Sequence, residues 1–286
     1  MRQVKNPDEL RAALRGPRLN GQSIGFVPTM GNLHAGHLAL VRQARMRCDR
    51  VVVSIFVNPL QFDRPDDLAA YPRTLEEDAR QLAEVGADVL FAPAARDLLG
   101  DDPEGLTRVE VPRLSERLEG AARPGHFTGV ATIVTKLFNL VQPDVAVFGE
   151  KDYQQLLIVR KLVRDLNMPV QIESVPTVRE PDGLAMSSRN AYLSREERAR
   201  APRLYRIISA LAEAIQVGKR NYRDLEKNGM DLLRKFGFRP EYIEICQADT
   251  LRPARPDDTD LVVLAAAWLG RARLIDNVPL RLKPPG

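Results

Sequence analysis

The chain has 286 residues, 44% hydrophobic and 28% charged, a balance that excludes intrinsic disorder and supplies core for one large domain or two. Its 42 Lys and Arg against 38 Asp and Glu leave a net charge of +4, which permits nucleic-acid binding without implying it. Cys48 and Cys246 cannot build a disulfide framework, the N-terminus is too charged for a signal peptide, and no apolar run approaches the roughly 20 residues of a membrane helix, so a cytoplasmic protein without a membrane role is expected.

Short β-branched runs over residues 24–27, 51–57, 89–91, 145–148 and 170–175 read as strands, and helix-period segments fall between them. Leu38, Val41 and Arg45 step along the first helix. The segment 74–85 opens on a capping box, Thr74…Glu77, and stops at Gly86; helices are also expected over 130–141 and 154–166. This alternation predicts an α/β fold, a doubly wound Rossmann-like parallel sheet over residues 1–176. Residues 176–190 form a polar loop, after which a second capping box, Ser194…Glu197, starts a helix expected to reach about 217. A helix over 222–236 and strands over 242–246, 261–267 and 273–275 then predict a smaller α+β C-terminal domain, 177–286, acting as a lid. Asp101-Asp102-Pro103-Glu104 and Lys283-Pro284-Pro285-Gly286 read as an exposed loop and tail.

Only three histidines occur, and two of them, His34 and His37, lie directly after the first strand, where a helix should begin. Their spacing puts both imidazoles on one side of the first helical turn, where free N–H groups and the helix dipole favour phosphate. Gly31 and Gly36 would let a nucleotide approach closely. Two such donors could stabilise charge developing as pyrophosphate leaves an α-phosphate. At the carboxyl end of the fourth strand, Lys151 offers a point charge to phosphate, Asp152 an acceptor for ribose and Gln155 an amide for a hydroxyl or carboxylate. Ser187, Ser188 and Arg189 can wrap a triphosphate with neutral and charged donors. His126, after Arg123-Pro124-Gly125, either lies over a substrate pocket or bonds its own backbone.

The His-x-Gly-His string after a first strand resembles the signature of the nucleotidyltransferase superfamily shared with class I aminoacyl-tRNA synthetases. Met186-Ser187-Ser188-Arg189 resembles a degenerate form of the synthetases' second signature. Taken with Pro28 to Gly31, Phe56 to Phe62, Tyr71 to Thr74, Arg123 to Phe127, Phe148 to Gln155 and Arg273 to Asn277, in that order, the chain resembles the pantothenate synthetase family along nearly its whole length. The resemblance implies that ATP, pantoate and β-alanine yield pantothenate, AMP and pyrophosphate through an enzyme-bound pantoyl adenylate. It places Met30, Gly31, Asn32, Leu33, His34, His37, Gly149, Glu150, Lys151, Asp152, Val178, Met186, Ser187, Ser188 and Arg189 around ATP. Among these, His34, His37, Lys151, Ser187, Ser188 and Arg189 would act in catalysis. Gln61 and Gln155 would hold pantoate, Gln61 also lying near β-alanine. Mg²⁺ is expected with the triphosphate, and the resemblance points to Asp78 and Gln81 beside the capping residue Glu77. It further suggests a homodimer. The rival readings are another nucleotidyltransferase with this signature, and an RNA-binding module related to class I synthetases, for which the basic C-terminal helices lack exposed aromatics for base stacking.

Overall fold

Six strands, β1 (Arg2–Val4), β2 (Ile24–Thr29), β3 (Arg50–Ile55), β4 (Val89–Phe91), β5 (Val145–Gly149) and β6 (Gln171–Val175), form one sheet in the order β1-β4-β3-β2-β5-β6, every pair parallel. The structure, a computed structural model, describes residues 1–283. They divide into two compact units, residues 1–150 with 154–176, and residues 151–153 with the chain from 177 onward.

In the first unit the valine runs are buried on both faces, as a parallel sheet covered by helices demands. On one face Val27, Val51, Val53, Leu90, Val145 and Val147 pack with Leu40, Val41 and Ala44 of helix Ala35–Arg47 and Ala79 and Leu82 of helix Leu75–Glu84. The alternating residues point the other way. There Phe138 of helix His126–Val141 meets Phe26 and Phe148 edge-on, with centroids 6.2 and 6.4 Å apart. The sheet is therefore doubly wound, with β3 on one side of β2 and β5 on the other. Ligands bind at the carboxyl ends of strands that flank such a reversal.

The structure departs from the sequence reading in several places. The strand β1 and helix Pro7–Leu19 lie where no element was expected; Asn6 caps that helix by accepting the Glu9 N–H at 2.9 Å. Thr74 makes no side-chain cap of helix Leu75–Glu84; its hydroxyl donates to Asp78, while Glu77 pairs with Arg80. The Ser194 box does form. The helix it opens, however, ends at Arg200 and a second runs over Arg203–Gln216, the break falling at Pro202, which has no N–H to donate to the preceding turn.

In the second unit β7 (Arg239–Gln247), β8 (Asp260–Leu269) and β9 (Ala272–Arg281) make an antiparallel sheet in that order, longer than the expected strands. Helices Arg203–Gln216 and Tyr222–Lys235 cover it, packing Leu204, Ile208, Leu211 and Leu233 on Ile243, Ile245, Val263 and Leu274. Lys283 is exposed; the rest of the expected tail, residues 284–286, lies outside the described residues. No described helix is long and apolar enough to cross a membrane. Neither cysteine is in a disulfide, and both are buried.

The outer side of β7 carries no strand, and there Glu226 accepts the Ile245 N–H at 2.8 Å while Ala254 N–H donates to the Ile245 carbonyl at 2.9 Å. Burial pushes the Glu226 carboxyl above its ordinary range; the Ile245 N–H opposes this, Glu244 adds to it and Arg223 opposes it. A raised folded-state value means the folded chain holds this proton more firmly than the unfolded one, so the group favours folding at low pH and that contribution is lost as pH rises through the raised value. Glu226→Gln keeps an acceptor without the charge. It should melt above the wild type at neutral and alkaline pH, the gap closing as pH falls below the ordinary carboxylate range; thermal unfolding across a pH series checks this.

Candidate active site

The loop after β2 is built almost entirely from its own hydrogen bonds. Thr29 Oγ1 donates to the Ser54 carbonyl (2.8 Å) and accepts the Gly31 N–H (3.2 Å). Gly31 has φ +80° and Asn32 φ +51°. A Cβ at Gly31 would stand 3.0 Å from Ile55 Cγ2 and 3.1 Å from Asp78 Oδ2, so both conformation and space call for glycine. Asp78, buried, accepts the Asn32 N–H (2.9 Å) and the Thr74 hydroxyl (3.1 Å) on Oδ2, and the Leu33 N–H (2.8 Å) on Oδ1.

His34 caps helix Ala35–Arg47: its Nδ1 accepts the Gly36 N–H at 3.1 Å, and His37 Nδ1 accepts the His34 N–H at 3.3 Å. The two rings lie 4.1 Å apart. An Nδ1 that accepts carries no proton, so each neutral ring bears its hydrogen on Nε2 and is a donor there. The N–H groups of Gly31, Asn32, Leu33, His34 and Gly36 thus all donate within the loop and its supports. The expectation of free backbone N–H groups is corrected at these five positions.

Beside this loop Gln61 donates to Met30 Sδ at 3.0 Å and accepts from Asn58 Nδ2 at 3.0 Å. Its backbone carbonyl accepts from Arg123 Nη2 (2.9 Å) and lies 2.7 Å from His126 Nδ1. His126 is buried, and its Nδ1 meets this distant carbonyl instead of its own backbone; it holds Gln61. The approach of helix His126–Val141 requires Gly129, because a Cβ there would fall 2.2 Å from the Leu60 carbonyl oxygen. Gln154 is buried and spends its whole amide on the segment 114–119, donating to the Leu114 and Arg117 carbonyls (2.6 and 2.8 Å) and accepting the Glu119 N–H (3.1 Å). Its neighbour Gln155 is half-buried, with no hydrogen bond of its side chain among the described residues. Gly149 closes β5, and Glu150 accepts from Ser174 Oγ at 2.8 Å.

In the second unit Lys151 Nζ lies 3.6 Å from Asp152, and the Lys151 carbonyl accepts from Asn277 Nδ2 at 3.0 Å. The segment expected as plain loop contains a hairpin: Arg179 bridges to Ala185, and Met186 N–H donates to the Val178 carbonyl at 3.0 Å. Ser187 then caps a 3-10 turn, Ser188–Tyr192, by accepting the Arg189 N–H at 3.2 Å, and Asn190 Nδ2 holds the Ala185 carbonyl at 3.1 Å. The strongest support is Arg179, which the sequence reading passed over. Its guanidinium makes a two-pronged pair with buried Asp276 (2.7 and 3.0 Å) and lies 3.5 Å from the Tyr205 ring centre. The Arg273-to-Asn277 stretch carried the only sequence signal for it.

Asp78 and Gln81 do not make a cation site of the protein's own. Both Asp78 oxygens are turned to loop donors, and Gln81 Nε2 donates to Glu77 at 3.1 Å. Among the described residues no group of three or more His, Cys, Asp or Glu is arranged to hold a metal.

A family model for pantoate-beta-alanine ligase matches residues 2–279. The chain is 59% identical over 275 residues to the pantothenate synthetase of Azotobacter vinelandii, covering 96% of this chain and 97% of that one. It is 58% identical to that of Thioalkalivibrio sulfidiphilus along the whole of both. Among solved structures, the pantothenate synthetase of Thermus thermophilus superposes with a TM-score of 0.90 at 51% identity, covering 97% of this chain and 99% of that one. The pantoate-beta-alanine ligase of Francisella tularensis, complexed with beta-gamma ATP and beta-alanine, gives 0.82 at 34% identity over 97% of each.

The two neighbouring glutamines should separate in stability measurements. Gln154→Leu leaves buried carbonyls and an N–H without partners and should cost about 1–3 kcal/mol by denaturant unfolding, whereas Gln155→Leu should stay within about 0.5 kcal/mol of the wild type.

Proposed function

The chain belongs to the pantoate-beta-alanine ligase family and catalyses the ATP-dependent ligation of pantoate and β-alanine to pantothenate, and we propose that it does so through a pantoyl adenylate. A carboxylate does not acylate an amine in water, so it must first be activated. In the proposed first step a pantoate carboxylate oxygen attacks the α-phosphorus of ATP and the bond to the bridging oxygen of pyrophosphate breaks. In the second the β-alanine amine attacks the acyl carbon and AMP leaves with the carboxylate oxygen.

The observation that carries this reading is the pair of accepting Nδ1 atoms on His34 and His37. It makes both rings Nε2 donors, fixed before substrate arrives, toward charge that builds on the α-phosphate and departing pyrophosphate. We assign Lys151, Ser187, Ser188 and Arg189 to the same phosphates as catalytic donors, and Met30, Gly31, Asn32, Leu33, Gly149, Glu150, Asp152, Val178 and Met186 to the binding of ATP. Gln61 and Gln155 take pantoate, for which neutral amides suit a hydroxylated carboxylate without repelling it. Gln61, held by Arg123 and His126, also adjoins the amine substrate. Mg²⁺ accompanies ATP, held by phosphates and water. The absence of any identified Ser-His-Asp or Cys-His arrangement in the sequence favours an adenylate over an acyl-enzyme. We further infer a cytosolic homodimer in which residues 177 onward serve as a lid excluding water from the adenylate; sedimentation tests the dimer, and small-angle scattering with an adenylate analogue tests the lid.

Pantoate labelled with ¹⁸O in its carboxylate should pass one label to AMP, and labelled pyrophosphate should exchange into ATP with pantoate present and β-alanine absent. Label in pyrophosphate, or an acylated Ser or Cys, refutes the adenylate. The two roles of His34 should also part company. His34→Asn keeps a helix cap and loses the Nε2 donor, so turnover should fall about a hundredfold with little change in melting. His34→Ala should lose the same activity and about 1 kcal/mol of stability besides.

A further inference from the structure

The carboxylate of Asp78 is buried under the histidine loop and is not matched there by a cationic side chain; its partners are the N–H groups of Asn32 and Leu33 and the hydroxyl of Thr74. A buried charge is tolerated only when hydrogen bonds replace its lost hydration. Consecutive N–H groups, one to each carboxylate oxygen, supply that, and they fix the 31–32 and 32–33 peptide planes, the two that precede the peptide carrying the His34 N–H. Asn32 sits in the left-handed region at φ +51°, a conformation that needs support to persist. The next donor in line, His34 N–H, goes to His37 Nδ1, so the orientation of the peptides at 32 and 33 is inherited by both imidazoles.

We propose that Asp78 is a positioning residue of the ligase reaction and not a metal ligand: its carboxylate holds the Asn32–Leu33 peptides so that His34 and His37 present their Nε2 donors to ATP. This rests on the assignment of the two histidines to ATP. The chemistry also explains why an amide cannot replace the acid. An Asn side chain has one acceptor oxygen, so at position 78 its NH₂ would face the Asn32 or the Leu33 N–H.

The test is Asp78→Asn in the full chain. Amide exchange at Asn32 and Leu33 should quicken by roughly ten- to hundredfold, the loss of one hydrogen bond to a charged acceptor. The kcat should fall by about a hundredfold through displaced donors, while the KM for pantoate and the Mg²⁺ concentration for half-maximal rate stay unchanged. A merely structural role would lower the melting temperature without this split. A raised Mg²⁺ requirement, or recovery of rate at high Mg²⁺, would overturn the proposal in favour of a metal ligand. Unchanged exchange and kcat would overturn it outright. Two measurements stand if Asp78→Asn does not fold. Mn²⁺ added alone to the wild type should leave the Asn32 and Leu33 amide resonances sharp, and broadening there would overturn the proposal. Thr74→Val, which removes one donor and keeps the carboxylate buried, should lower kcat severalfold at constant pantoate KM, and an unchanged kcat would count against positioning. If His34→Ala retained full activity the assignment of the histidines would fall, and the exchange data would still report whether Asp78 clamps the loop.

Discussion

The neighbouring of β2 and β5 in a parallel sheet is the constraint from which the rest of the first unit follows. Parallel strands cannot be joined by tight turns, so every segment that follows a strand leaves from the same edge. With β3 on one side of β2 and β5 on the other, the segments after β2 and β5 diverge and open a crevice between them. The chain places its histidine loop after the first and Gly149-Glu150 after the second. Helix dipoles and glycine loops usually exploit such a place with backbone N–H groups. Here those of Gly31, Asn32, Leu33, His34 and Gly36 are already committed to Thr29, Asp78 and the two imidazoles, so under the proposed function the donor role falls to side chains. A side-chain donor reaches farther than a peptide, and its hydrogen is fixed by whatever occupies the other ring nitrogen.

Much of this was legible in the sequence, because the signals involved are local. Valine runs separated by helix-period segments specify a covered parallel sheet, and His34 and His37 directly after a strand mark the loop at its carboxyl edge. What was not legible depends on partners far along the chain. Thr74…Glu77 satisfies the capping pattern, yet the Thr74 hydroxyl turns to Asp78, a buried carboxylate whose lost hydration has to be replaced. Gln154 and Gln155 are the same residue type side by side; which becomes a structural cross-link depends on a turn at 114–119 that no pattern announces. His126 could not be told from a loop histidine until the carbonyl of Gln61, 65 positions away, came beside it. The strand β1 has only Val4 to bury, too little for an alternation to register.

The second unit solves a different problem, the bracing of an irregular segment. Residues 178–186 bury Leu184 and Ala185, and the polar half of their bracing comes from Arg179, which bonds Asp276, stacks on Tyr205 and touches the Gly183 carbonyl at 3.2 Å. Only a planar guanidinium does all three at once; lysine would supply charge without the stacking or the fork. Ser187, Ser188 and Arg189 therefore extend from a hairpin whose base is tied to the sheet strand β9, so the segment is stiff at its root.

Glu226 shows what such a fold gives up elsewhere. Its carboxylate, raised by burial, covers the Ile245 N–H on the open margin of β7, and Ala254 covers the carbonyl of the same residue. A strand of another chain seeking to extend this sheet would first have to expel the glutamate from the Ile245 N–H, a protection that begins only once helix Tyr222–Lys235 has docked. The acid thus guards the docked edge against edge-to-edge association, and the form most open to such pairing is the one in which helix Tyr222–Lys235 has come away and left this margin bare.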